Sequence, residues 1–142
     1  IIGITIPRET GDGAMTSPQM PHDHGQEIAR IIEQMPDVSQ AQEAAEVFQQ
    51  LGDPSRLRIL WLLCHAEECG INIAAAVGMS SASVSHHLKS LRLHGLIQSR
   101  RSGKEVYDRL ADNEKAQLIR RMVDDYIEMA CTCKGVIHSA KE

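Results

Sequence analysis

Aromatic side chains are scarce in this chain: one Trp, two Tyr and one Phe, 3% of 142 residues. Single-stranded nucleic acid is gripped by stacking bases on aromatic platforms, so that mode of binding is set aside. No run of about eighteen apolar residues occurs, which excludes a helical membrane span on length alone. The Ile1 to Ile6 stretch is short and has no basic start, unlike a secretory leader. Cysteine is limited to four residues without framework spacing. That usage suits a reducing cytoplasm, where thiols bind metal or sense oxidants. Net positive charge is missing as well. The total is -4, which at first disfavours a polyanionic partner.

Resolved along the chain, the charge tells a different story. Between Ser80 and Arg109 the cations are Lys89, Arg92, Arg100, Arg101, Lys104 and Arg109, and the anions are Glu105 and Asp108. Six against two is a local +4, leaving -8 for the remainder. A phosphate backbone would feel the local patch rather than the total.

The patch lies on Met79 to Leu110, MSSASVSHHLKSLRLHGLIQSRRSGKEVYDRL. From Ser83 the apolar Val84, Leu88 and Leu91 recur every three or four residues, which predicts a helix with one buried face. Its other face offers Ser81, Ser83, Ser85, His86, His87, Lys89 and Arg92, all able to donate to phosphates or base edges. One of His86 and His87 is expected to turn partly inward, because a helix cannot present neighbours equally. Gly95 stands where a helix C-cap requires it. Leu96-Ile97 and Val106-Tyr107 then alternate with polar residues, and Ser102-Gly103 marks a turn crowded by Arg100, Arg101 and Lys104. A recognition helix followed by a cationic hairpin describes a winged helix-turn-helix, with double-stranded DNA as its partner.

The rest of the chain frames that unit. Residues 1–25, rich in Gly, Pro, Thr and Ser without a period, read as a flexible tail whose only chemistry is His22-Asp23-His24. That trio is either a metal-binding arm or a plain solvated pair of histidines. Residues 26–133 read as one domain and residues 134–142 as a C-terminal tail. Gln26 to Met35 has helical spacing and stops at Pro36. A helix over Ser39 to Leu51 is expected to bury Ala41, Ala44, Ala45, Phe48 and Leu51. Asp53-Pro54 is a clear start signal for a helix over Ser55 to His65. Glu67 to Gly70 breaks it, Ile71 to Val77 forms an Ala-rich helix, and Gly78 makes the bend. Asp112 is expected to cap a last helix carrying Ala116, Ile119, Met122, Val123, Tyr126, Ile127 and Ala130. That stripe is wider than one small domain can bury. Its outer half, with the helix over Ser39 to Leu51, is therefore expected to form a homodimer. The fold class is mainly α with a small β-hairpin wing, a winged helix-turn-helix dimeric through its N-terminal and C-terminal helices.

LGDPSRLRILWLL, IAAAVGMSSASVSHHLKSLRLHGLI and RRSGKEVYDRLAD together resemble the ArsR/SmtB metal-responsive repressors, over about Ala44 to Glu128. The resemblance implies a dimeric repressor that leaves its operator when an inducer binds. In that family the inducer is usually a metal or metalloid ion, and in some members an oxidant or persulfide.

Three donor sets compete for an inducer. By the resemblance, Cys69 stands where thiophilic sensors place the first cysteine of a Cys-x-Cys motif, but Ile71 occupies the second position. Cys131-x-Cys133 is intact, and paired thiolates suit soft ions such as As(III), Cd(II) or Pb(II). Cys69, Cys131 and Cys133 form the preferred set, with Cys64 or the His22/His24 arm as a further ligand source. Also by the resemblance, Asp112, Glu114, Asp125 and Glu128 occupy the positions of the family's zinc-type site, with carboxylates replacing both imidazoles. Zn(II) favours nitrogen or sulfur, so this set is the second choice, and a helix cap with a solvated acidic face is the plain alternative. The third route is redox, a disulfide or polysulfide involving Cys131 and Cys133. Two readings of other classes remain. Cys64-His65 as a catalytic dyad is disfavoured because helical neighbours point about 100° apart. An interaction-only winged helix would not require the charge on the wing. No enzymatic activity is expected.

Overall fold

The computed structural model describes residues 19–25 and 28–133, without the Cys133 side chain. Residues 1–18 of the expected N-terminal tail, and the whole of the expected tail at 134–142, lie outside the described residues. The chain divides into two compact units, residues 1–40 and residues 41–142. In the first, α1 (Ile28–Gln34) precedes the start of α2 (Val38–Leu51). A reciprocal capping box opens α2. Asp37 Oδ1 accepts from the Gln40 amide at 2.8 Å and Gln40 Oε1 accepts from the Asp37 amide at 3.0 Å. This places the helix start one residue before Ser39.

The second unit carries α3 (Pro54–His65), β1 (Glu68–Cys69), α4 (Gly70–Val77), α5 (Ser81–Leu93), β2 (Ile97–Ser102), β3 (Glu105–Leu110) and α6 (Glu114–Cys133). Asp53 caps α3 as expected, with its carboxylate accepting the Arg56 amide at 2.8 Å and Pro54 in the first turn. The Arg56 guanidinium reaches back to the carbonyls of Gln49 and Gln50, both at 2.9 Å, and so satisfies the open end of α2. Gly78 ends α4 in the left-handed region at φ 68°, which lets α5 leave at an angle. Arg58 pins the same corner by donating to the Val77 carbonyl at 3.2 Å.

The core is one cluster built from every helix of this unit after α2. Ile59, Leu60 and Leu63 of α3 meet Ile73 and Val77 of α4, Val84, Leu88 and Leu91 of α5, and Ala116, Ile119 and Val123 of α6. Each fully buried Leu or Ile contributes roughly 1.5–3 kcal/mol.

Four expectations need correction. Glu67 to Gly70 is not only a helix break: Glu68 and Cys69 form a short strand on β3, giving a three-stranded antiparallel sheet of order β1-β3-β2. A two-residue pairing carries too little periodicity to be read locally. The wing turn is Gly103-Lys104, since Ser102 pairs with Glu105, and Gly103 takes the positive φ of 62°. Asn113 rather than Asp112 caps α6, accepting the Ala116 amide at 2.8 Å while its Nδ2 donates to the Gly95 carbonyl. Asp112 is held instead by Arg109. Finally, Ala41, Ala44, Ala45 and Phe48 are exposed, because only Val47, Gln50 and Leu51 of α2 turn towards the core.

The outer edge of α6 behaves as expected. Leu118, Met122, Tyr126 and Met129 are exposed in a stripe along the helix, while Ile119 and Val123 point inward. Among the described residues no helix is long and apolar enough to cross a membrane.

Candidate nucleic-acid interface

The recognition helix α5 starts at Ser81. Ser80 is its N-cap and accepts the Ser83 amide at 3.2 Å. Val84, Leu88 and Leu91 fasten its inner face to the core. Ser81, Ser83, Ser85, His86 and Lys89 remain exposed on the other side. His87 is the histidine that turns inward: it is half-buried, and its Nδ1 has no hydrogen-bond partner among the described residues. A polar, partner-poor face over the length of α5 fits a major groove, whose base edges offer donors and acceptors in sequence-dependent order.

Beside it stands the wing. Six residue pairs join β2 to β3, from Ile97 with Leu110 to Ser102 with Glu105. Its cations divide into two groups. Lys89 of α5 and Arg101 and Lys104 of the wing are exposed and in no ion pair among the described residues. The other group faces protein. Arg100 donates through Nε and Nη2 to Glu67, and its guanidinium lies 4.9 Å from the centre of the Tyr107 ring. Arg109 grips Asp112 through two nitrogens, at 3.1 and 2.7 Å, and reaches Glu67 at 3.6 Å. Arg92 forks onto Asp108. Hydrogen bonding to Arg100 holds the Glu67 carboxyl below its ordinary range, and Arg109 does the same for Asp112. The local +4 counted along the sequence is therefore spent in part on the wing's own base.

Glu67 and Asp108 were not singled out from the sequence. Asp108 shares a strand face with Leu110, so an acid at an inward position of a basic strand was the available signal. Glu67 had none, because its partner lies thirty-three residues away.

Residues 53–99, from the N-cap of α3 to the middle of β2, match the family described as bacterial regulatory protein, arsR family. Over 101 residues the chain is 40% identical to the transcriptional repressor SmtB homolog of a Synechocystis species, covering 71% of this chain and 76% of that protein. The chain belongs to the ArsR family. Two solved structures of similar shape bear on its ArsR fold. The homodimeric winged helix-turn-helix DNA-binding domain Mb0332 from Mycobacterium bovis, a possible ArsR-family regulator, is 27% identical at a TM-score of 0.58. That match covers 84% of this chain and all of the other. The AntR antimony-specific transcriptional repressor is 26% identical at a TM-score of 0.60, covering 70% of this chain and 86% of the other.

Within the second unit, the described candidate effector ligands of this ArsR chain are dispersed. Cys69 is buried at the head of α4, opposite Tyr107 in the sheet. Cys131 is half-buried in the last turn of α6, and the Cys133 side chain lies outside the described residues. Glu114, Asp125 and Glu128 are exposed along α6, and Asp112 is already ion-paired. The His22 and His24 rings lie 6.1 Å apart in the first unit. No group of three His, Cys, Asp or Glu side chains able to hold a metal ion occurs among the described residues of one chain. The Cys64-His65 pair does not converge either. His65 Nε2 bonds to Asp124 at 2.9 Å, and burial, then the Asp124 charge, pushes the Cys64 thiol up to about 11. A nucleophilic thiolate needs the opposite shift.

Proposed function

We propose that this protein is a homodimeric, sequence-specific DNA-binding transcriptional repressor, released from its operator by a small thiophilic effector. The observation that carries the reading is the exposed, polar face of α5 flanked by Lys89, Arg101 and Lys104, cations in no ion pair among the described residues. Ser81, Ser83, Ser85 and His86 read base edges, and Lys89, Arg101 and Lys104 hold phosphates. His87, Arg92 and Arg100, oriented towards protein, support that surface rather than touch DNA.

Two copies pair through the outer stripe of α6 and the exposed face of α2, Phe48 included. Pairing by a two-fold axis presents two α5 helices to successive major grooves, about 34 Å apart, and so favours a palindromic site. The homodimeric state of the Mb0332 domain supports pairing as such.

For the effector, the thiol-bearing set of Cys69, Cys131 and Cys133 is preferred, and a soft metal or metalloid ion such as As(III), Cd(II) or Pb(II) is the matching chemistry. The antimony-specific AntR repressor, similar in fold, supports that class. Among the described residues of one chain no such site is assembled, so the set would draw its ligands together by pairing of two copies. The acidic set Asp112, Glu114, Asp125 and Glu128 is weaker for Zn(II), because Asp112 is committed to Arg109.

The test is a fluorescence-anisotropy titration of a selected palindromic duplex and a random duplex, repeated as reduced protein is titrated with As(III), Cd(II) and Zn(II). Tight binding to the palindrome, lost as thiolate-to-metal absorption rises, supports the reading. Equal affinity for both duplexes refutes sequence specificity. Release that survives Cys131→Ser/Cys133→Ser removes the thiol pair as the sensor.

A further inference from the structure

One carboxylate ties the recognition helix to the wing. Asp108 of β3 is only 1% exposed, although it lies in the most basic stretch of the chain. Its Oδ1 accepts from Arg92 Nε at 3.0 Å and its Oδ2 accepts from Arg92 Nη2 at 3.3 Å. The Ser99 hydroxyl donates to Oδ1 as well. Arg92 belongs to the last turn of α5, and Ser99 faces Asp108 directly across the β2–β3 ladder. Donors from the helix and from β2 thus meet on one buried carboxylate of β3.

We propose that Asp108, with Arg92 and Ser99, is the positioning device that fixes the angle of the wing to the recognition helix, and that Arg92 serves this carboxylate instead of a DNA phosphate. The inference rests on the DNA-binding reading above.

Three physical points support it. A carboxylate removed from water is tolerated only when it is well hydrogen-bonded, and here three donors reach it. A guanidinium–carboxylate fork is planar and two-pronged, so it sets orientation as well as distance, which a lysine ammonium cannot do. Lastly, only His94, Gly95 and Leu96 connect α5 to β2, and Gly95 holds a left-handed φ of 69°. The hairpin is braced on its far side by the two pairs of β1 with β3 and by Arg100 on Glu67, and the Arg92–Asp108 fork is the side-chain tie that joins it to α5 itself. With the fork closed, the tip cations Arg101 and Lys104 are delivered at a fixed place relative to Ser85 and His86. The ordering is then complete before DNA arrives, and binding loses less entropy.

Arg92 keeps a side-chain exposure of 40%, so contact with phosphate is the competing role. The two roles separate in a salt series. Full-length Arg92→Ala, Arg92→Lys and Ser99→Ala are compared with the unaltered protein. The readouts are affinity for the selected palindrome at several salt concentrations and ¹⁵N relaxation of the Gly103 and Lys104 amides without DNA. If Arg92 positions, Arg92→Ala weakens binding about tenfold, as loss of a charge-assisted fork does. The slope of log affinity against log salt stays as in the unaltered protein, and the wing amides become more mobile. Arg92→Lys fails to rescue, and Ser99→Ala shifts mobility in the same direction by less. If Arg92 holds a phosphate, the slope falls by about 1 in Arg92→Ala, Arg92→Lys restores it, and the wing amides do not change. That result overturns the proposal. Should Arg92→Ala not fold, Arg92→Lys and Ser99→Ala decide by the same readouts. Failure of the unaltered protein to bind any duplex would sink the DNA-binding reading alone, because the relaxation measurement tests the lock without DNA.

Discussion

The Glu67 carboxylate, between α3 and β1, accepts both Nε and Nη2 of Arg100 from the wing, thirty-three residues along the chain. The contact ties the wing base to the end of the first core helix and gives a pH signature. The Glu67 pKa is lowered from 4.5, chiefly by that hydrogen bond and then by the charges of Arg100 and Arg109. A carboxyl with a depressed folded-state value stabilises the fold fully above its unfolded value and ceases to do so as pH falls through the folded one. Glu67→Gln therefore lowers Tm at neutral pH, and the gap to the unaltered protein narrows as pH drops from about 5 towards 3. Thermal melts followed by circular dichroism across that range check it. A gap independent of pH would mean the ion pair adds nothing through its charge. The effect is expected to be small, because the pair is largely solvent-screened.

Much of the fold was legible because its signals are local. Asp53-Pro54 announces α3, the spacing of Val84, Leu88 and Leu91 announces α5, and the outer stripe of α6 is visible as an excess of apolar positions. The strand β1 was not legible, since two residues acquire strand character only from their register with Tyr107 and Asp108. Asp108 enters the sequence as one of two anions in the basic stretch, and its burial depends on Arg92, sixteen residues away. The exposure of Phe48 and its α2 neighbours is not legible in the sequence for a related reason. A helical period reports that a face is apolar, not whether it packs against its own chain or another copy.

Gly78 is a position where backbone geometry alone decides. Its φ of 68° is left-handed, yet a Cβ there would meet nothing within 4 Å. Gly78→Ala should therefore destabilise by about 1–2 kcal/mol through strain without any clash. Gly78→Asn should cost less, because Asn tolerates that region. Urea unfolding of the three proteins measures both values. An alanine variant as stable as the glycine form would show that the bend between α4 and α5 does not require this conformation.

Lys89 and Arg101 are assigned to phosphates, Ser85 and His86 to base edges. Lys89→Ala and Arg101→Ala should each weaken palindromic and random duplexes alike and reduce the salt slope by about 1. Ser85→Ala and His86→Ala should leave the slope alone and alter the preferred sequence, with a discrimination loss of about 1–3 kcal/mol at the affected base pair. Anisotropy titrations at four salt concentrations separate the two classes. An unchanged slope in both cationic variants would remove them from the interface.

The cysteines should differ in reactivity in the native protein. Cys64 is buried with its pKa raised to about 11, so at neutral pH it is a protonated thiol without access to reagent. Cys69 is buried too, whereas Cys131 is half-buried on the last turn of α6. Limited alkylation with iodoacetamide, mapped by peptide mass, should mark Cys131 before Cys69 and reach Cys64 only in denaturant. Early labelling of Cys64 in the folded protein would contradict its placement in the core.

Pairing through α6 carries the last prediction. Tyr126 is 66% exposed and Met122 is 40% exposed, on a helix whose Ile119 and Val123 are already buried. Both residues are exposed in the single chain and lie outside its buried core, so Met122→Glu/Tyr126→Glu should leave the helical circular dichroism intact. A buried, unpaired carboxylate at an interface is strongly unfavourable, and two copies would place four of them together. Sedimentation equilibrium should show a dimer for the unaltered protein and a monomer for the variant at the same concentration. Operator affinity should fall with it, because one recognition helix forfeits the gain from tethering a second. A variant that remains dimeric would move the interface away from α6, and one that is monomeric yet binds the palindrome undiminished would detach pairing from DNA recognition.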